Sequence, residues 1–350
     1  MKLLFKRCRN WLLFLKWHIS RNRLRPLKSL PLRTSIALFR KGFFPGRYSL
    51  YHLDKNDWKS FMNDRQMLAS STIDGEYGII LTDKLLFELV MRKFTCVPQN
   101  FILIRNGKQV WLDDTPERDR DLFQLVRQQK KVVLKPVNAQ GGKGVRVLEF
   151  QDGCYLQNGQ PINKEALKKT FLKSADIIVS EYVRQGAFAN KLYPETVNTI
   201  RVLTMLEPES QRPFIGAAAL RIGCARSVPV DNVSSGGMSC NIELKTGRLG
   251  KAVFGSHKGN HFRYLDRHPE TKVILEDQII PDWNRICEEV LALAAKFPIL
   301  PYIAWDVAIR DGGITIIEGN TWSDVYIFQT DRPLLADPRV RRFFKHHNIL

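Results

Sequence analysis

"YIAWDVAIRDGGITIIEGN", residues 302–320, sets an acid, Asp306, inside an apolar run, turns at Asp311-Gly312-Gly313, and returns through Ile316 and Ile317 to Glu318 and Asn320. Apolar strands seldom carry an acid on a buried side unless a positive charge meets it there. Read as a hairpin with a three-residue loop, the stretch sets Arg310 opposite Ile314, and counting inward sets Asp306 opposite Glu318. Asn320 lies two residues on and projects to the same face. Facing carboxylates repel unless a cation lies between them. Three hard oxygen donors on adjacent strands suit magnesium, which shares its shell between a few side chains and substrate phosphates. A solvated strand pair could place acids the same way, but Trp305, Val307, Ile316 and Ile317 make the alternate face apolar.

Upstream, "KKVVLKPVNAQGGKGVRVLEF", residues 130–150, ends an apolar strand at Lys135-Pro136 and turns through Gly141, Gly142, Lys143 and Gly144 into a second strand. Glycines let backbone N–H groups come close to phosphate oxygens, and Lys135 and Lys143 can offset the charge. This is not a Walker A loop, because no Ser or Thr follows Lys143 and a strand, not a helix, comes next. By itself the loop is equally an ordinary hairpin turn. "ADIIVSEYV", 175–183, is an apolar strand whose end, Glu181-Tyr182-Val183, could offer backbone groups to an adenine edge. Asn198 and Arg201 stand in "VNTIRVLTM", where an Arg near a strand start suits a bidentate grip on phosphate or carboxylate. "VDNVSSGGMSC", 230–240, is a polar loop carrying Asn232, Ser234, Ser235, Gly236 and Gly237.

The remaining pattern is α+β, with antiparallel hairpins and flanking helices. Helical spacing marks 81–94, with Thr82 as the cap, and 280–297 as a long amphipathic helix. Residues 1–75 read as helical and loop-like, punctuated by Pro26, Pro31 and Pro45. Of the net charge of +19, most is N-terminal: residues 1–53 hold thirteen Lys or Arg and no acid. The rest carries 41 basic against 35 acidic residues. Six dispersed cysteines without a CxxC pair argue against structural zinc and a disulfide framework, and favour a reducing cytosol. Residues 1–20 form a basic amphipathic pattern with Leu4, Trp11, Leu15 and Ile19 near one face. Such a helix can lie on an anionic membrane surface or dock on its own domain. It does not read as a signal peptide, since its apolar run is short and interrupted by Lys16. No nucleic-acid module accompanies the charge, so no nucleic-acid partner is expected.

Taken in order, strand-Lys135, the glycine loop, "SEYV", "NTIRV", "DNVSSGG" and Asp306…Glu318-x-Asn320 resemble the ATP-grasp superfamily. "NTIRVLT", "DNVSSGG", "HPET", "IIPDW", "AWDVAI" and "IIEGN" are most similar to its sugar-transfer-associated family, a branch akin to α-L-glutamate ligases. The resemblance covers roughly 75 to 335. It implies an ATP-grasp fold of two α+β subdomains, 76–178 and 179–340, behind a basic region at 1–75. It implies ATP and two magnesium ions as cofactors. Lys135, Lys143 and Lys84 would hold phosphates, with Gly141, Gly142 and Gly144 as a lid loop. Glu181, Tyr182 and Val183 would line adenine, and Asp306, Glu318 and Asn320 would bind metal. Arg201 and Asn232 would face the γ-phosphate and the developing acyl phosphate, with Asn198, Ser235, Gly236 and Gly237 on the substrate side. His257, His261 and His268 fall between the glycine-serine loop and the long helix, where they read as plain surface histidines or, alternatively, as acceptor-side loop residues.

The activity implied is an ATP- and magnesium-dependent carboxylate–amine ligase working in cell-surface polysaccharide production. Its substrates would be a small-molecule or glycan carboxylate and an amine, in the cytoplasm or at the inner membrane face. An ATP-dependent phosphotransferase on a sugar or alcohol is the alternative enzyme, and a nucleotide-binding assembly factor the alternative without catalysis.

Overall fold

The computed structural model describes residues 12, 14–15, 30–112, 120–139, 141–172, 176–256 and 261–350. Ahead of the first strand lie helices α1 (Leu32–Arg40), α2 (Arg47–Leu50), α3 (Asp64–Ser70), α4 (Ile79–Thr82) and α5 (Lys84–Met91). Asp83, not Thr82, caps α5: its carboxylate accepts from the N–H groups of Leu85 and Leu86, whereas the Thr82 hydroxyl turns back to Gly78 O. An Asp at this position satisfies two free N–H groups and carries the charge that a helix N-terminus prefers.

The first sheet comprises β1 (Asn100–Arg105), β2 (Lys108–Trp111), β3 (Lys131–Pro136), β4 (Arg146–Gln151), β5 (Cys154–Gln157), β6 (Gln160–Pro161) and β7 (Ile177–Glu181). Its order is β2-β1-β7-β3-β4-β5-β6, antiparallel throughout. Helix α6 (Leu122–Gln129) packs Phe123 and Val126 against Ile102 and Leu134 of the sheet, and α7 (Lys164–Leu172) adds Leu167 to the same core.

The second sheet follows helix α8 (Ala187–Leu192) and comprises β8 (Thr199–Leu206), β9 (Pro213–Ile222), β10 (Met238–Ile242), β11 (Leu249–Ser256) and β12 (His261–Leu265). Helix α9 (Trp283–Ala294) precedes its last pair, β13 (Tyr302–Arg310) and β14 (Gly313–Asn320), and α10 (Pro338–His346) closes the chain. The order is β12-β11-β10-β9-β8-β13-β14, again antiparallel throughout. Both faces are buried. On one, α9 and α5 bring Trp283, Val290, Phe87 and Met91 onto Ile303, Trp305 and Ile316. On the other, Phe43, Leu50, Met62 and Met67 share a core with Leu203, Tyr302 and Phe343.

That second face changes the picture of the N-terminal region, because residues from about 38 onward belong to the core of the second sheet. A buried ion pair holds them: Arg47 Nη2 donates to Asp64 Oδ1 at 2.7 Å, and Asp64 Oδ2 accepts from Phe44 N at 2.8 Å. Arg47 also lies 4.6 Å over the Tyr326 ring. Gln329 joins the same parts, taking the Met62 N–H on Oε1 and returning Nε2 to Met62 O. The basic amphipathic helix expected over 1–20, whether on a membrane surface or docked on its own domain, lies outside the described residues except for Leu12, Phe14 and Leu15. Of these, Phe14 is buried against Phe39 and Phe44, both at 5.2 Å between ring centres. Among the described residues the cysteines Cys96, Cys154, Cys224, Cys240 and Cys287 are free thiols, and no helix is long and apolar enough to cross a membrane.

The hairpin of 302–320 differs from expectation at its turn and agrees at its centre. Arg310 pairs with Gly313, not Ile314, so the loop has two residues, with Gly312 at φ +86°. A bulge then adds one residue to β14: Val307 pairs with Ile316, but Asp306 pairs with Glu318. The extra residue, Ile317, explains how two successive isoleucines serve different surroundings, with Ile316 in the core and Ile317 on the cleft wall.

Candidate active site

Between the two sheets runs a cleft whose floor is formed by the ends of β3, β8, β9, β13 and β14. Arg201, Asp306 and Glu318 occupy one row across β8, β13 and β14. Asp306 is buried, and Arg201 grips both its oxygens, Nε to Oδ1 and Nη2 to Oδ2, each at 2.7 Å. Arg221 Nη2 reaches Oδ2 as well, at 2.8 Å. The positive charge that an acid in an apolar strand demands is thus supplied by two guanidinium groups. Burial alone would raise the Asp306 pKa, but Arg201 and Arg221 pull it well below the usual carboxylate range. Glu318 is served less well. Burial, then the neighbouring Asp306 charge, pushes its carboxyl up, and the nearest guanidinium nitrogen, Arg201 Nη2, stands 3.9 Å away.

Facing these acids are lysines. Lys135 ends β3, and Lys84 opens α5 with Nζ donating to Ala139 O at 2.6 Å and Val137 O at 3.3 Å. Burial depresses the Lys135 pKa to about 8, and the Lys84 charge adds to the effect. Lys84 is lowered too, first by burial, with Glu318 opposing. Two ammonium groups held near each other and partly desolvated suit an anion of high charge.

Above them the glycine loop closes on the polar loop. Gly142 has φ +70°, and a Cβ there would stand 2.6 Å from Asn232 Nδ2 and 3.1 Å from Val230. Only glycine permits both that backbone conformation and that approach. Gly141 (φ +68°) faces open space, while Gly144 (φ +75°) abuts Pro136. Lys143 lines the cleft beside Gly142. At the other end, Glu181, Tyr182 and Val183 form the wall, with Glu181 Oε2 accepting from Gln99 N at 3.3 Å and Lys131 Nζ 4.5 Å from the Tyr182 ring centre.

The structure therefore gathers Lys84, Lys135, Gly142, Lys143 and the 181–183 wall with Asn232, Asp306 and Glu318 in one cleft, with Arg201 directly behind Asp306. Others fall elsewhere. Asn198 is an internal hub: its Nδ2 donates to Tyr193 O (2.7 Å) and Ala189 O (3.0 Å), and its Oδ1 accepts from Gly223 N (3.0 Å). Fully enclosed and satisfied, it braces the β8–α8 junction and does not face the cleft. Ser235 is solvent-exposed away from the lining. Gly236 and Gly237 are explained by the turn, Gly236 by φ +108° and Gly237 by Asp231 O, 2.4 Å from any Cβ placed there. Asn320 sits one pleat beyond Glu318, its Nδ2 on Ala304 O at 3.3 Å. His268 is no surface residue: it is buried, stacked on Tyr193, with Nε2 2.8 Å from Gly223 O. His257 lies outside the described residues.

Sequence reasoning missed the centre of the arginine network. Arg221 contacts Asp306, Asp231 (3.3 Å), the Thr199 hydroxyl (2.6 Å) and Asn232 Oδ1 (3.0 Å). Its signal was available: it is the only charge in the apolar strand "FIGAAALRI", the same cue that singled out Arg201.

Two antiparallel sheets clasping a lysine-floored cleft define the class as ATP-grasp proteins. The model of the sugar-transfer associated ATP-grasp family matches residues 64–339, and the chain belongs to that family. No curated protein matches the chain. Solved structures similar to it include an N5-carboxyaminoimidazole ribonucleotide synthetase in complex with ADP, at 13% identity and TM-score 0.39, covering 74% of this chain and 47% of that one. A D-alanyl-alanine synthetase A from Vibrio cholerae is 11% identical at TM-score 0.41, covering 76% and 66%. A D-alanine–D-alanine ligase from Bacillus anthracis is 12% identical at TM-score 0.40, covering 89% and 84%. Likeness at this level carries no argument about substrates.

Proposed function

We propose that the protein is an ATP- and magnesium-dependent ligase that activates a carboxylate as an acyl phosphate and passes it to an amine or similar nucleophile. One observation carries the reading: Lys84, Lys135 and Lys143 share a cleft with Arg221 and the Asp306–Glu318 pair. A carboxylate oxygen bonds to the γ-phosphorus as the bond to ADP breaks; the amine then bonds to the acyl carbon as phosphate leaves and a proton departs. Both steps concentrate negative charge at one point, so catalysis rests on cations placed in advance, not on a nucleophilic side chain. Among the described residues the cleft lining contains no Ser, Cys or His.

The donor set fits magnesium. The ionised form of Glu318 is disfavoured by burial and by Asp306, a cost that a divalent cation between the two would reverse. Asp306 and Glu318, which line the cleft, would hold the metal, which when bound neutralises charge on the transferring phosphoryl group. Lys84 and Lys135 would bind the phosphates, Gly142 and Lys143 would cover them, and Glu181, Tyr182 and Val183 would receive the base. Arg221 and Arg201 keep Asp306 ionised and oriented, and Arg221 positions Asn232. The family's association with sugar transfer supports a role in polysaccharide or glycoconjugate synthesis, with a sugar acid or amino sugar among the substrates.

The test is ADP release from ATP across a panel of amino acids, amines and uronic acids, with hydroxylamine as a trap. Wild type should release ADP with one carboxylate, and hydroxylamine should yield its hydroxamate. Glu318→Gln should lose about a hundredfold or more of that rate. Equal ADP release by wild type and variant with every pair would overturn the enzymatic reading, and ADP release without hydroxamate would turn it toward phosphotransfer. An anionic membrane surface is a further proposed partner for the basic residues before 30. If it is right, deleting residues 1–11, which spares Phe14, weakens binding to anionic but not neutral vesicles.

A further inference from the structure

We propose a second ligand site, for a compact phosphate-type oxyanion, beside the chain connection that follows β7 and leads from the first sheet to the second. A cavity of about 310 Å³ opens there behind the nucleotide wall. Lys130, Lys131, Arg184 and Arg310 face it against two acids, Glu149 and Glu181. The acids do not balance the cations. Glu149 is 3.5 Å from Lys131, and Glu181 accepts from the Gln99 backbone. Among the described residues Arg310 Nη1 has only neutral partners, the Thr315 hydroxyl at 3.4 Å and Cys96 Sγ at 3.6 Å. Among the described residues no carboxylate pairs with Arg184 or Arg310. Two guanidinium groups without a carboxylate, backed by two lysines, match the several oxygens of a phosphate, which accepts forked N–H pairs.

The position gives such a ligand leverage. Lys130 and Lys131 come from the first sheet's side, Arg310 and Thr315 from the β13–β14 hairpin of the second, and Arg184 from the connection. An anion held by all of them ties the two sheets together. Glu181, Tyr182 and Val183 line this cavity and the nucleotide cleft alike, and Lys131 lies over Tyr182. Occupancy of one cavity is therefore felt in the other, and the coupling is reciprocal. The oxyanion can be free phosphate or the phosphate of a small monoester.

The full chain is saturated with magnesium and a non-hydrolysable ATP analogue, so that the cleft's own phosphate positions are filled. Inorganic phosphate, or glycerol 3-phosphate, is then titrated at constant ionic strength while thermal unfolding is followed. A saturable rise in melting temperature with either probe is expected, and the probe with the lower midpoint names the source. Conversely, the saturating probe should tighten the analogue about fivefold. Arg184→Gln with Arg310→Gln should abolish the rise; both side chains are exposed and neither lines the nucleotide cleft. Glu149→Gln, which frees Lys131, should move the midpoint to lower concentration. No saturable rise with either probe, a rise that the double variant keeps, or a midpoint that Glu149→Gln leaves unchanged or raises would each overturn the proposal. None of these readings depends on turnover, so their failure leaves the ligase assignment standing, and the reverse holds too.

Discussion

Asp306 and Glu318 face each other across one strand pair yet live under opposite electrostatics, and the difference decides what each can do. Asp306 is held ionised by Arg201 and Arg221, so it is a fixed anion over the working pH range. Glu318 has its carboxyl pushed up by burial and by Asp306, so keeping it charged costs the metal-free protein stability. A raised carboxyl contributes its stability below the ordinary carboxylate range and loses it as pH rises through the folded value. Without magnesium, wild type should therefore lose melting temperature relative to Glu318→Gln as pH is raised from that range toward neutral. Magnesium should restore wild type and leave the variant unmoved; thermal unfolding with and without metal reads both. Lys135 gives the opposite test. With its pKa lowered to about 8 by burial and Lys84, it loses its charge above that value unless phosphate restores it. ATP affinity, followed by calorimetry in buffers of different ionisation enthalpy, should fall between pH 7 and 9 with uptake of a proton. An affinity flat over that window would take Lys135 out of the phosphate site.

The glycine loop and the 302–320 hairpin show what neighbouring elements add to local pattern. Gly141 and Gly142 both have positive φ, where Ala costs about 1–2 kcal/mol. Only at Gly142 would the new methyl meet another element, at Asn232 and Val230. Gly142→Ala should thus raise the KM for ATP well beyond the effect of Gly141→Ala, a comparison that steady-state kinetics makes directly. Equal effects would show that the loop does not close on the 230–237 turn. In the hairpin, the expected three-residue loop was one residue too long, and the bulge at Ile317 made up the difference. Asp306 and Glu318 consequently meet as the spacing had suggested, through a different register at the turn. Alternating hydrophobicity sets which face a strand buries, but a single inserted residue is invisible to it.

For the molecule as a whole, the N-terminal region completes the core of the second sheet. Its Arg47–Asp64 pair is almost fully enclosed, and removing one partner of such a pair costs about 3–5 kcal/mol. Asp64→Asn should lower stability by about that amount in denaturant unfolding, and should do so even in the presence of saturating nucleotide. A loss below 1 kcal/mol would mean that residues 38–67 are not part of the cooperative core. Much of the fold and site could be read in the chain alone. The apolar strands, the lysine before the glycine loop, the paired acids and the ordered motifs identified the class, because strand spacing and residue chemistry are local properties. Residues whose roles depend on distant partners were misplaced or missed. Asn198 looked like a ligand for substrate until Gly223 and Tyr193 enclosed it, and Arg221 was silent until β9 carried it beside Asp306. The covering of the second sheet by the N-terminal helices was equally hidden. Contacts between elements, 25 positions apart for Asn198 and Gly223, 85 for Arg221 and Asp306 and 267 for Met62 and Gln329, are set by packing and desolvation, which no linear spacing encodes.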